Sequence, residues 1–185
     1  MSQYYPRQKE LNEVRGHFKP RGPKSKKIEQ EYGPGKADVL VCKTCKAFYW
    51  YKSWHHNLAD YPELNQKKRI KFTVCPACQM IKSNKYEGEI RIYKAPSGIK
   101  KGIKDLIRNY GKRAFKDDPM DRVISVEDVT LRGQGKFMRI RTTENQLAKR
   151  LAKKISEVYR GKFELSISHS KKEDTARATL TFKEK

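Results

Sequence analysis

Two short stretches, Cys42-Lys43-Thr44-Cys45 and Cys75-Pro76-Ala77-Cys78, contain all four cysteines of the chain, and 29 residues lie between them. A C-x-x-C turn brings two thiolates to one side of a tight loop, where both can bind the same ion. Two such turns supply the four soft ligands that Zn²⁺ takes in a tetrahedral structural site. The pattern therefore predicts one bound zinc ion, with the ligands Cys42, Cys45, Cys75 and Cys78.

Other interpretations of the cysteines are disulfide bonds, redox chemistry and unrelated buried thiols. A redox C-x-x-C lies at the head of a helix that follows a buried strand. Neither pair opens a clean amphipathic helix in this sequence, and each follows a short β-like run, at residues 39–41 and 72–74. His55 and His56, between the pairs, are alternative ligands, but four thiolates already complete the shell. The zinc ion is thus expected to hold the fold together and to leave no position open for water.

The charge of the chain predicts a polyanionic partner. Lysine and arginine total 43 against 21 acidic residues, which gives a net charge of +22. Such a charge repels itself in a compact fold unless a polyanion neutralises it. Hydrophobic residues make up only 36% of the chain, enough for a modest core that a structural metal would reinforce.

The sequence contains no run of about 18 apolar residues, so no transmembrane helix is predicted. The first six residues lack the apolar segment of a secretory signal. Paired cysteines in a chain without an export signal fit a reducing compartment, and we expect a cytoplasmic protein. An anionic membrane surface is a second possible partner, but no long basic amphipathic helix with an aromatic apolar face supports it.

Three regions are predicted. Residues 1–36 are a basic arm, rich in glycine and proline and too poor in apolar residues to fold alone; it either orders against phosphate or stays a solvated leader. Residues 37–94 are a small zinc-knuckle or ribbon module with four cysteine ligands, which includes a strand at 88–93. Residues 95–185 are a separate domain that begins at the break Ala95-Pro96-Ser97-Gly98.

The last region is predicted to be an α+β domain with the order α-β-β-α-β-β and a mostly antiparallel sheet of four strands. Apolar residues on one helical face indicate a helix at 99–110, with Gly111 as its stop signal. Thr143 and Gln146 form a capping-box pattern for the second helix. Alternating apolar and polar residues indicate strands at 123–129, 136–142, 163–168 and 177–183, with one covered face and one wet face.

No catalytic constellation is visible, so no enzyme and no small-molecule substrate are predicted. Phosphate-binding glycine loops and H-E-x-x-H are absent, and no histidine lies near a nucleophile pattern. The acidic residues Asp117, Asp118 and Asp121 could bind a divalent ion, but a solvated helix end explains them better.

Basic residues on several segments are candidates for contact with nucleic acid, and a merely solvated charged surface is the competing explanation. They lie in the arm, before the second cysteine pair, on the polar side of one strand and on the outer face of the last helix. The candidates are Lys19, Arg21, Lys24, Lys26, Lys27, Lys67, Lys68, Arg69, Arg139, Arg141, Lys149, Arg150, Lys153 and Lys154.

Several short stretches carry a resemblance to a known family, at residues 74–78, 86–90, 118–119 with 122–124, 142–151 and 159–165. In these stretches the chain resembles the zinc-knuckle family of the large-ribosomal-subunit nuclear export adaptor, which has archaeal members, and more closely its short bacterial relatives. The resemblance covers roughly residues 38–168. It implies zinc ligation by the four cysteines and binding to the large ribosomal subunit. The chain lacks the adaptor's further cysteine pairs, domains and signals, so nuclear export is not implied.

These observations lead to one functional expectation. The chain is predicted to be a monomeric, non-enzymatic zinc protein that binds ribosomal RNA, associated with the large subunit in assembly or quiescence. The alternative is a zinc-dependent DNA-binding or transcription-associated protein.

Overall fold

The structure, a computed structural model, describes residues 39–50, 52–61, 64, 70–170 and 174–183. Residues 38–185 form one compact unit. The described residues contain two mostly antiparallel sheets and three α-helices, which confirms the α+β class. The predicted arm lies outside the described residues, and so do its candidate cations and three others: Lys19, Arg21, Lys24, Lys26, Lys27, Lys67, Lys68 and Arg69.

The first sheet carries the cysteine pairs. Its strands are β1 (Val39–Cys42), β2 (Phe48–Trp50), β3 (Ser53–His55) and β4 (Ile70–Thr73), in the order β3-β2-β1-β4. Strands β2 and β3 form the hairpin that the spacing between the cysteine pairs allows. Strands β1 and β4 pair in parallel, and helix α1 (Pro76–Ser83) follows β4. A small core under this sheet consists of Val39, Val41, Phe48 and Leu64.

The second sheet has five strands and two long helices. The elements in chain order are β5 (Gly88–Tyr93), α2 (Ser97–Asp117), β6 (Val123–Leu131), β7 (Gly135–Thr142), α3 (Asn145–Val158), β8 (Phe163–Ser170) and β9 (Thr175–Phe182). The strand order is β6-β7-β5-β9-β8. Of the strand pairs described in this sheet, only β5–β9 is parallel.

The main core lies between this sheet and the helices. On α3, Leu147, Leu151 and Ile155 recur every four residues and are fully buried, because positions four apart share one helical face. Ile90 and Ile92 of β5 belong to the same core. Burying one such side chain stabilises a fold by about 1.5–3 kcal/mol before the entropy of ordering is subtracted. No described helix is long and apolar enough to cross a lipid bilayer.

Strand β5 corrects the predicted module boundary and the predicted strand count. Residues 88–93 were predicted to belong to the zinc module, but β5 pairs with β7 and β9 at the centre of the second sheet. Its apolar residues, Ile90 and Ile92, are buried against residues of α3 in the main core and not against the first sheet. The second sheet therefore has five strands instead of four.

Gly111 does not end the first long helix. Helix α2 continues to Asp117, and Gly111 is buried in its interior. A β-carbon at this position would come within 2.8 Å of Cγ2 of Val123. The glycine is therefore required for close packing between α2 and β6 and not for a C-terminal cap.

Thr143 does not cap the second long helix. Helix α3 begins at Asn145, and its first turn has no side-chain cap. The Thr143 hydroxyl instead donates to the Met120 carbonyl and accepts from the Arg122 amide at 2.9 Å. It ties the loop after α2 to the end of β7.

Candidate metal centre and basic surfaces

The parallel pairing of β1 and β4 brings the two C-x-x-C turns together. Cys42, the last residue of β1, is opposite Thr73, the last residue of β4. The Lys43 amide donates to the Thr73 carbonyl at 2.8 Å, which extends the pairing by one step. Because parallel strands end at the same edge of a sheet, the chain that leaves each strand enters its cysteine turn at the same place.

The four sulfurs have the spacing of a tetrahedral metal site. All lie within 4.8 Å of one another, and the Cys45 and Cys75 sulfurs are 3.6 Å apart. Metal–sulfur bonds of ~2.3 Å give a tetrahedron with edges of about 3.8 Å. None of the four is in a disulfide. Cys42, Cys75 and Cys78 are buried and Cys45 is half-buried, so this cluster can hold a metal ion away from water.

Backbone amides point at the sulfurs. The Cys75 amide donates to the Cys42 sulfur at 3.3 Å, and the Cys78 amide donates to the Cys75 sulfur at 3.4 Å. Burial raises the pKa of Cys42, but amide hydrogen bonds outweigh it and lower that pKa to about 6. Burial raises the pKa of Cys75, and it raises the pKa of Cys78 to about 11. Such buried thiols ionise when a cation compensates their charge.

The second cysteine pair opens a helix, contrary to the sequence analysis. Cys75 is the N-cap of α1, Pro76 is its first residue and Cys78 lies in its first turn. The second pair therefore has the helix-start position that a redox pair requires. A redox pair, however, needs only two sulfurs, whereas all four meet here. The arrangement fits metal binding better than thiol exchange.

Neither histidine between the cysteine pairs belongs to the sulfur cluster. His55 Nε2 contacts Ser53 Oγ at 2.8 Å and the Trp50 carbonyl at 3.1 Å. His56 donates to the Phe115 carbonyl, and its ring meets the Phe115 ring edge-on with centroids 4.7 Å apart. His56 therefore joins the cysteine module to the end of α2.

Arg139 and Arg141 lie on the face of the second sheet that points away from the main core. Arg91 of β5 lies opposite Arg139 of β7. Glu89 of β5 lies between Arg141 of β7 and Arg177 of β9. We call Arg91, Arg139, Arg141 and Arg177 the arginine face. Aromatic rings accompany it: the Arg141 guanidinium lies 4.8 Å from the Tyr86 ring centre, and Arg91 lies 5.5 Å from that of Phe137.

Acidic residues neutralise part of the arginine face. Arg139 is paired with Glu127 at 2.8 Å, and Arg91 is paired with the buried Glu89. Two polar atoms on this face are nevertheless buried without a hydrogen-bond partner: Arg139 Nε and Arg141 Nε. Buried polar groups almost always have a partner, so these atoms indicate a place where a ligand's acceptors would be favoured.

The candidate cations of the last helix do not join the arginine face. They lie on α3, which packs against the opposite face of the sheet. Arg150 is paired with Asp121, and Lys154 with Glu157 at 3.2 Å. Lys149 and Lys153 have no ion-pair partner within the part of the chain that the structure describes. The described candidates therefore form two separate basic surfaces.

The acidic cluster near the end of α2 is structural at its centre. Asp121 is only 6% exposed and binds Arg150, so it is not part of a solvated helix end. Burial raises the pKa of Asp121, and the hydrogen bond from Arg150 acts against this shift. Asp118 accepts a hydrogen bond from the Met120 amide at 2.8 Å. Met120 in turn packs on the cysteines, so this loop helps to cover the cysteine cluster.

Four cations that were not among the candidates line a cavity of about 500 Å³ between α2 and β6: Lys104, Arg108, Lys112 and Arg122. The first three recur every four residues, which places them on one row of the helix surface. That spacing was visible in the sequence, but which side of α2 faces an open groove depends on how the helix packs.

Comparison of the chain with family models, with curated proteins and with solved structures found no match.

Proposed function

We propose that this protein is a non-enzymatic, zinc-containing RNA-binding protein that associates with the large ribosomal subunit. The observation that carries the proposal is the arginine face. There, guanidinium groups and aromatic rings lie side by side, as Arg91 and Phe137 do on adjacent strands, and two buried guanidinium nitrogens lack partners. Guanidinium groups bind phosphate bidentately, and they also stack on rings.

Zinc is the metal that suits the cysteine cluster best. Thiolates are soft ligands, and Zn²⁺ accepts four of them in a tetrahedron with no further requirement on geometry. Cys42, Cys45, Cys75 and Cys78 would hold the ion. With four sulfur ligands the shell is closed, so the ion would brace the fold and activate no water. The absence of a recognisable catalytic constellation in the sequence agrees with a binding role.

RNA is favoured as partner by charge and by surface. A net charge of +22 favours a polyanion over a neutral ligand. Rings beside arginines suit unstacked bases, which structured RNA offers in loops and bulges. The large subunit is proposed because of the family resemblance carried by residues 74–78, 86–90 and 142–151.

Sedimentation with ribosomal subunits tests the proposal. The full chain is expected to sediment with large subunits at low salt and to be released as salt rises, because phosphate contacts release counterions. The double variant Arg139→Gln/Arg141→Gln is expected to sediment at least about tenfold less well, since two charge-assisted contacts are lost. Arg132→Gln/Arg160→Gln removes the same charge from exposed positions elsewhere and serves as the control.

Two results would reject the proposal. One is wild-type protein that stays at the top of the gradient at every salt concentration. The other is binding to duplex DNA at least as tight as binding to structured RNA, which would favour the DNA-binding alternative.

A further inference from the structure

A groove runs between helix α2 and strand β6, apart from the arginine face and from the cysteine cluster. Its floor is apolar and includes Ile107, Val123 and Val126, and Phe115 closes one end. The cavity of about 500 Å³ falls within the usual range for ligand pockets.

The walls of the groove are cationic. Lys104, Arg108 and Lys112 form one wall and Arg122 contributes at the far end, and none of the described residues that line the cavity is acidic. Residues four apart on a helix are separated by ~6 Å along its axis. This separation is close to that of neighbouring phosphates in a nucleic-acid strand. Two nearby acids reduce the positive charge of this wall, since Asp128 binds Lys104 at 2.7 Å and Asp105 binds Arg108 at 3.0 Å.

Arg122 is held in a fixed position at the end of the groove. Its guanidinium lies 3.9 Å from the centre of the Phe115 ring, and its Nε donates to the Pro119 carbonyl at 2.9 Å. Its Nη2 is buried without a hydrogen-bond partner. The Phe115 ring is itself supported by His56 of the cysteine module. A preorganised guanidinium with an unused donor is what a phosphate site requires.

The other wall is the outer edge of a sheet. Strand β6 is the last strand of the second sheet, and among the described strands it pairs only with β7. The backbone amides and carbonyls on the outer side of such a strand are available as donors and acceptors. They can contact the edges of bases that a single strand turns towards them.

We propose that this groove binds a segment of single-stranded RNA, with phosphates on the lysine and arginine row and bases over the apolar floor. The proposal rests on the proposed RNA-binding function and adds a second, distinct contact site to it. An acidic peptide added to β6 is the competing occupant. RNA is favoured because the arginine face begins on the other side of the same edge, where Arg139 pairs with Glu127 of β6. One polynucleotide could therefore contact both surfaces. Its phosphates repeat regularly, as do the cations of the helix row.

Fluorescence anisotropy with a labelled 12-nucleotide RNA of mixed sequence tests the groove in the zinc-loaded full chain. The variant Lys104→Ala/Arg108→Ala/Lys112→Ala removes the row and keeps good helix formers. Its matched control, Lys101→Ala/Lys116→Ala/Arg160→Ala, removes three exposed cations outside the groove. Thermal unfolding of both variants checks that each is folded, and Lys104→Arg/Lys112→Arg tests whether charge alone is sufficient.

The groove variant is expected to bind about tenfold or more weakly than the control at about 0.1 M salt, and its slope of log affinity against log salt is expected to be shallower by about 2. The Arg-for-Lys variant should bind like wild type. Equal binding by the groove variant and its control would overturn the groove while leaving the proposed function intact. Wild-type protein that binds no RNA would overturn both. Loss of binding to a labelled glutamate 12-mer with unchanged RNA binding would assign the groove to acidic peptides instead.

Discussion

Gly111 of helix α2 and Val123 of the edge strand β6 are in direct contact, so that a β-carbon added to the glycine would lie 2.8 Å from Cγ2 of the valine. The valine is β-branched and has little rotamer freedom with which to move away. This contact sets how closely the helix approaches the sheet, and it forms one end of the floor of the cationic groove.

Replacement of Gly111 by alanine is therefore expected to destabilise the protein. Overpacking of a core contact costs about 1–3 kcal/mol in the free energy of unfolding, although the gain in helix propensity offsets up to ~1 kcal/mol. The double variant Gly111→Ala/Val123→Ala should be more stable than the sum of the two single effects predicts, because the clash disappears. Urea unfolding of the four proteins measures this coupling. Strict additivity would show that the contact is not restrictive.

Removal of the metal is expected to unfold the cysteine module. Purified protein should contain one zinc ion per chain, and Cys75→Ser should contain little, since one ligand is lost. Chelation should change the fluorescence of Trp54, which packs on the cysteines. Zinc should leave as the pH falls, because protons compete for the thiolates. Mass spectrometry under native conditions measures the metal content. Full occupancy in Cys75→Ser would contradict the assigned ligand set.

Thr143 offers a test of the loop that covers the cysteine cluster. Thr143→Val preserves the shape of the side chain but leaves the Met120 carbonyl and the Arg122 amide without their hydroxyl partner. The expected cost is about 1–3 kcal/mol in the free energy of unfolding. Thr143→Ser retains the hydroxyl and should lose much less. A valine variant as stable as the serine variant would show that the hydroxyl does not contribute to the free energy of unfolding.

The pair of Glu127 and Arg139 is expected to make the stability of the protein depend on pH. The hydrogen bond from Arg139 lowers the pKa of Glu127. Because the folded pKa lies below the unfolded one, this pair stabilises the protein above the unfolded pKa, and the stabilisation is lost as the pH falls through the folded pKa. Glu127→Gln should therefore weaken the dependence of stability on acid pH.

The same substitution should strengthen RNA binding several-fold, because Arg139 no longer has an internal counter-charge. Glu157→Gln, which releases Lys154 on the opposite layer, is the matched control. Filter binding at two salt concentrations measures both variants. Unchanged affinity for Glu127→Gln would count against a role for Arg139 in binding RNA.

The periodic parts of the fold were predictable from the sequence. The four-residue repeat of Leu147, Leu151 and Ile155 correctly predicted the buried face of α3, and the alternation around Met138 and Ile140 correctly predicted that of β7. The four cysteines were predictable as a cluster for the same reason, since a fixed short spacing constrains where sulfurs can go. Local pattern was sufficient in each case.

The errors concern residues whose role depends on distant partners. Gly111 looks like a helix stop unless Val123 is known to be beside it, and Thr143 looks like a cap unless the Met120 loop is in place. Strand β5 was given to the wrong module because nothing in residues 88–93 tells which sheet will accept them. The pairing of Arg150 with Asp121, 29 positions away in sequence, was equally hidden.

Because β1 and β4 lie side by side, the positions of the two cysteine pairs do not depend on the length of the chain between them. Each pair is positioned by the strand that leads into it, so insertions or deletions in the connection should leave the sulfur positions unchanged as long as the two strands still align. During synthesis, however, the second cysteine pair leaves the ribosome after the first. A nascent chain that ends before Cys78 can offer an ion only part of its ligands, so the cluster can close only after residue 78 has been added.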